Sequence, residues 1–78
     1  MELERTELEY REGNSDKVYT AALMEYDNGH QVVFEYGKRH NLVGRIVKPD
    51  QPVSLQKART IFKEMIDKKL KKGYVPMS

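Results

Sequence analysis

The residues best suited to chemistry in this chain lie in Val33-Phe34-Glu35-Tyr36-Gly37-Lys38-Arg39. An aromatic residue closes an apolar alternation, a glycine follows, and two cations come next. A ring in that place offers a flat face to a sugar or base. Glycine removes the side chain that would block backbone approach, and Lys38 and Arg39 can neutralise phosphates. Stacking on such a ring is worth about 1–3 kcal/mol per base. Lys17, Arg45 and Lys48 supply flanking charge. The candidate nucleic-acid site is therefore Tyr36, Gly37, Lys38 and Arg39 with Lys17, Arg45 and Lys48. Each also has a structural reading: Tyr36 as a packing ring, Lys38 as a surface lysine, and Gly37 as a residue required by backbone geometry.

No other pattern carries a reaction. His30 and His40 fall in a predicted turn and loop, match no zinc spacing, and read as exposed turn histidines. The chain has no cysteine, which removes disulfides and cysteine-based metal sites. Ser15, Ser54 and Ser78 lack a neighbouring base, and no carboxylate pair is placed for acid–base work. The five glycines are dispersed and build no phosphate loop. The chain reads as non-enzymatic, with no cofactor and no metal.

The net charge is only +2, but it is unevenly spread. Glu2, Glu4, Glu7, Glu9 and Glu12 make the start acidic, whereas Gly37 to Lys48 carries four cations and no acid. A basic face concealed by a mild total suits an anionic partner. No apolar run is long enough to span a membrane, so no membrane partner is expected. Met1 to Arg5 lacks the order of a secretion signal, and the cytoplasm is the default compartment.

These residues need a scaffold, and 78 residues allow one thin-cored domain, 1–78. Residues 1–5 read as a frayed end. Glu7 to Arg11 alternates as a short strand, Glu12 to Asp16 reads as a turn, and Lys17 to Tyr26 as a longer strand. Asn28-Gly29 predicts a tight hairpin with positive φ at both central positions. Gln31 to Tyr36 returns with Val32, Phe34 and Tyr36 on one face, and Gly37 breaks the strand. Leu42 to Lys48 forms a further strand, ended by Pro49 and Pro52. Ser54 is placed as the N-cap of a helix whose apolar stripe is Leu55, Ala58, Ile61, Phe62, Met65, Ile66 and Leu70. Lys72 ends it and Gly73 supplies the left-handed residue. Lys68, Lys69, Lys71 and Lys72 suit the helix macrodipole, a structural role that leaves them outside the candidate site. Tyr74-Val75 folds back onto the sheet, and Pro76 closes the ordered chain. The fold class is α+β, a small antiparallel sheet of about four strands against one C-terminal helix.

Three pieces in this order resemble the WGR domain, the Trp-Gly-Arg module of nuclear poly(ADP-ribose) polymerases and many bacterial proteins. Leu8 to Tyr19 is similar to its opening strand, turn and entry into the second strand. Tyr36-Gly37-Lys38 falls at the signature position. Leu55 to Tyr74, closing on Lys71-Lys72-Gly73-Tyr74, is similar to its last helix. The resemblance implies an antiparallel sheet with one helix. It also implies a bacterial module that contacts the backbone or ends of DNA, or RNA, without regard to sequence. The alternative it leaves is docking on a separate enzyme or regulator with no direct nucleic-acid contact, as a monomer or weak homodimer. The signature is altered here. Tyr36 gives a smaller ring than Trp, and Lys38 lacks the planar fork of Arg. Arg39 restores a fork, although strict strand alternation would turn it to the other face. Asp16 places an acid beside Lys17.

Overall fold

The computed structural model describes residues 1–77. Its elements are β1 (Glu2–Glu12), β2 (Ser15–Tyr26), β3 (Gly29–Lys38), β4 (Asn41–Val53), α1 (Leu55–Lys71) and β5 (Val75–Pro76). The strands form one five-stranded antiparallel sheet in the order β4-β3-β2-β1-β5. Strands β1 to β4 are a meander. Helix α1 then crosses one face, contacting β3, β2 and β4, and delivers β5 to the far side of β1. The protein is a small α+β domain with four main strands and one C-terminal helix.

Register decides which side chains meet the helix. Leu8 pairs with Tyr19, Tyr19 with Tyr36, and Tyr36 with Gly44. The neighbouring row is Thr6, Ala21, Phe34 and Ile46. Directly opposed residues share a face. This face therefore carries Leu8, Tyr19, Ala21, Leu23, Val32 and Phe34, and the helix closes it with Ala58 and Phe62. Full burial of one such large side chain is worth about 1.5–3 kcal/mol. Phe34, Phe62, Leu8, Leu23 and Val32, each below 2 % exposed, are the main apolar support of a short chain. On the other face Val18, Thr20, Ala22 and Val33 are also buried, in rows with Arg5, Glu7, Glu35 and Arg45, and no described helix or strand packs across them.

Several boundaries differ from the sequence reading. Residues 1–5 are not frayed: β1 begins at Glu2, and the Met1 backbone exchanges hydrogen bonds of 2.8 and 2.9 Å with Glu25. The β2–β3 turn centres on Asp27-Asn28, and neither has positive φ; Gly29, after the turn, takes φ 137°. A Cβ there would sit 2.9 Å from the Val53 carbonyl oxygen. Strand β3 runs on through Gly37 to Lys38 with a register shift. Strand β4 passes Pro49 and Pro52 to Val53. Among the described residues it pairs only with β3, so it is an edge strand, where a missing N–H is tolerated.

The helix ends follow the sequence reading closely. The Ser54 hydroxyl accepts from the Lys57 N–H at 3.2 Å. At the other end the Gly73 N–H donates to the Leu70 carbonyl (3.1 Å) and the Tyr74 N–H to the Lys69 carbonyl (3.1 Å). This is the Schellman pattern, with Lys72 as C-cap and Gly73 at φ 104°. The chain turns back, and Val75 and Pro76 pair with Glu9 and Leu8. No described helix is long and apolar enough to cross a membrane.

Candidate nucleic-acid interface

At one end of the helix-bearing face, Lys17 of β2 lies opposite Lys38 of β3. One row inward lie Tyr19 and Tyr36, also paired. Together Lys17, Tyr36, Gly37, Lys38, Lys69 and Tyr74 line a cleft of about 310 Å³. Among the described residues no carboxylate lines it. Three cations thus converge from two strands and the helix.

Each is placed for a stated reason. The β1–β2 hairpin turns on Gly13-Asn14 with φ 58° at Gly13, which sets the register that places Lys17, the third residue of β2, opposite Tyr10. Gly37 at φ 152° carries the β3 bulge, and a Cβ there would meet the Asn41 carbonyl oxygen at 2.5 Å. Gly37 is thus required by backbone packing, and the resulting bend holds Lys38 beside Lys17. Lys69 is held by the helix cap. A Schellman motif commonly brings residue C3 against C″. Here those residues are Lys69 and Tyr74, and the Lys69 Nζ lies 5.4 Å from the Tyr74 ring centroid and 4.7 Å from that of Tyr19.

The aromatic wall is continuous. Tyr19 stacks on Phe34 at 5.8 Å and on Tyr36 at 6.4 Å, and meets Tyr74 edge-on at 6.3 Å. Tyr36 lies over Gly44: a Cβ on Gly44 would fall 2.3 Å from its ring carbons. One side of the ring is thereby covered, yet Tyr36 stays 40 % exposed. It is a rim residue that packs and still presents surface. Tyr19 is 4 % exposed and its hydroxyl has no hydrogen-bond partner among the described residues. Burial, followed by the Tyr36 and Tyr74 phenols, pushes its pKa up to about 12. Burial also draws the Lys69 ammonium below its ordinary pKa, assisted by Lys72 and then Lys17.

The other site residues named from sequence are elsewhere. The Arg39 fork is occupied: Nε and Nη2 donate to Asp16 at 2.7–3.1 Å, and Nη2 donates to Glu9 at 2.6 Å. Its backbone N–H also donates to the Asp16 carbonyl at 3.2 Å. Arg39 therefore ties the β3–β4 turn to the β1–β2 hairpin. Asp16 is neutralised in the same stroke, and its pKa is lowered, first by the Arg39 hydrogen bonds. Arg45 opposes Glu35, in the row with Thr20 on the sheet face opposite the helix. Lys48 opposes Val32 and lines a separate groove with Pro49, Met65 and Lys68. Of the two histidines, His40 is exposed, whereas His30 is half-buried in β3 and lies 3.3 Å from Glu25. Of the seven positions, the structure brings together Lys17, Tyr36, Gly37 and Lys38.

No protein-family model, curated protein or solved structure matches the chain.

Two cleft residues, Lys69 and Tyr74, were not among the sequence candidates. Their signal is present in the helix stripe. Phe62, Met65 and Ile66 lead by helical spacing to position 69, so a lysine there points along the core-facing side. The macrodipole explanation applies equally to Lys68 and Lys71 and does not separate Lys69 from them.

Proposed function

We propose that the chain binds the backbone or an end of a nucleic acid, without regard to base sequence, through the Lys17–Tyr36–Lys38–Lys69 cleft. The observation that carries this reading is the convergence of three lysines from three elements beside an exposed ring, with no acid among the described residues of the cleft wall. The volume suits one sugar–phosphate unit at a time. Lys17, Lys38 and Lys69 meet phosphate oxygens as mobile point charges, and Tyr36 with Tyr74 offers apolar surface to the sugar or base. Gly37 supplies the bulge that sets Lys38 beside Lys17. Arg39 acts as a positioning residue, and Arg45 and Lys48 stand outside the contact. The resemblance to WGR domains supports the same assignment through Tyr36-Gly37-Lys38.

The test is fluorescence anisotropy with duplexes that are intact, nicked or recessed, at several salt concentrations. Affinity falls with salt, with a log–log slope of about −0.9 for each phosphate neutralised on duplex. Tyr36→Ala combined with Lys38→Ala lowers affinity and leaves the circular dichroism spectrum unchanged. Absence of salt-dependent binding to DNA or RNA up to about millimolar nucleic acid, beyond the range of ordinary non-specific binders, defeats the reading.

A second reading, docking on a separate enzyme or regulator, is favoured by one observation. The sheet face opposite the helix has no described helix or strand packed on it, and its rows set buried Thr20, Ala22 and Val33 among Arg5, Glu7, Glu35 and Arg45, a charged surface for a partner. A partner recovered from extract and retained after nuclease treatment would favour this face over the cleft.

A further inference from the structure

We propose that Lys69 is a site of acylation by anionic acyl donors, acyl phosphates above all, and that its acylation switches the cleft off. Three features of the structure combine at this residue. Its Nζ is fixed at the cleft wall by the rings of Tyr19 and Tyr74, 4.7 and 5.4 Å from their centroids. No carboxylate lies within salt-bridge reach of it among the described residues. Lys17 and Lys38 line the same cleft and can receive the phosphate of a donor. The groups that face it are the cations Lys17, Lys38 and Lys72 and the phenols of Tyr19, Tyr36 and Tyr74. Burial and then the cationic neighbours draw its pKa down, against the hold of the two rings on the ammonium, and the neutral amine is the nucleophile.

The step balances simply. The Lys69 ammonium first gives one proton to solvent. The Nζ lone pair then attacks the acyl carbonyl, and a C–N bond forms. The carbonyl C–O bond to phosphate breaks, and its electron pair leaves with inorganic phosphate, which Lys17 and Lys38 accept as it departs. The amine loses its second proton to solvent and a neutral amide remains. No oxidant or reductant takes part. The product leaves the cleft with two lysines, and the Tyr19 and Tyr74 rings face an amide in place of a cation. The switching half of this proposal rests on the anion-binding reading above; the acylation half does not.

The experiment treats the full chain with acetyl phosphate and follows acetylation of each lysine by peptide mass spectrometry. Lys63, exposed on the same helix, is the internal reference. Lys69 is expected to react several-fold faster than Lys63. Inorganic phosphate or the Lys17→Gln/Lys38→Gln pair should remove that advantage, and a neutral acetylating ester should show less of it. Equal or slower reaction at Lys69, or the same preference for the neutral ester, overturns the proposal. The acetylated protein and Lys69→Gln are then compared with Lys69→Arg for binding a recessed duplex. Weaker binding with a salt slope reduced by about 0.9 upholds the switch, whereas unchanged binding overturns it. Binding by unmodified protein without preferential acetylation sinks this inference alone. Preferential acetylation without any DNA or RNA binding upholds the acylation half and removes the nucleic-acid reading.

Discussion

The ring of Tyr36 lies over the Cα of Gly44 across the β3–β4 ladder. A Cβ at Gly44 would come within 2.3 Å of the Tyr36 Cε2 and Cζ atoms. The backbone at Gly44 has no positive φ, so alanine fits the strand and only the ring must yield. Gly44→Ala is expected to swing Tyr36 away from its place beside the lysines. Oligonucleotide affinity should fall about as far as in Tyr36→Ala, with a smaller loss of thermal stability than a core substitution causes. Aromatic NMR shifts of Tyr36 would report the displacement directly.

The helix cap and the binding cleft share Gly73. Its φ of 104° is rarely adopted by residues with a side chain, and a Cβ would approach the Tyr10 ring at 3.2 Å. Gly73→Ala is expected to cost more than about 1 kcal/mol in urea unfolding, because the native conformation does not suit alanine. It should also separate Tyr74 from Lys69 and weaken oligonucleotide binding. Full affinity in a destabilised variant would show that the cap and the cleft are independent.

Arg39 holds Asp16 and Glu9 together, and the pH dependence of stability follows from the sign of the Asp16 shift. Its folded pKa is lowered, first by the Arg39 hydrogen bonds. Its contribution is therefore present above the unfolded value, about 4, and is lost as pH falls through the folded value. Asp16 is partly exposed, so the effect is modest and screened by salt. Arg39→Gln should lower the urea midpoint at pH 6, and the gap from wild type should narrow toward pH 3. A gap that widens on acidification would contradict the pairing.

Tyr19 is nearly fully buried and its hydroxyl has no partner among the described residues. Removing an unsatisfied buried hydroxyl relieves a desolvation penalty of about 1–3 kcal/mol. Tyr19→Phe is expected to be neutral or stabilising at pH 7. The folded pKa, pushed up to about 12, exceeds the unfolded value, so wild-type stability declines as pH rises above about 10. The decline should be smaller in Tyr19→Phe. A clear loss of stability at pH 7 would mean that the hydroxyl has a partner.

Much of this architecture was legible in the sequence. The alternation of Val32, Phe34 and Tyr36 fixed a common face, and Ser54 and Gly73 marked the helix ends. The limits of β1 and β4 were not legible. Charged Glu2 to Arg5 gives no apolar period, and its order comes from pairing with Met24 to Ala22. Pro49 and Pro52 read as strand breakers until β4 is known to be an edge. The candidate site divided for a similar reason. Lys17, Tyr36 and Lys38 are joined by register, and Gly37 contributes the bulge that keeps them aligned. Arg39 adjoins Lys38 in the chain, yet its fork belongs to Asp16 and Glu9, a contact across two hairpins. Lys69 becomes part of the site only when the cap folds Tyr74 back beside it.

The most direct test of the cleft is a backbone and side-chain NMR titration with a short duplex bearing a recessed end. The proposed contact predicts the largest shift changes at Lys17, Tyr36, Gly37, Lys38, Lys69 and Tyr74, fading as salt rises. Changes centred on Val18, Val33 and Arg45 of the opposite sheet face, or no changes at all, would contradict it.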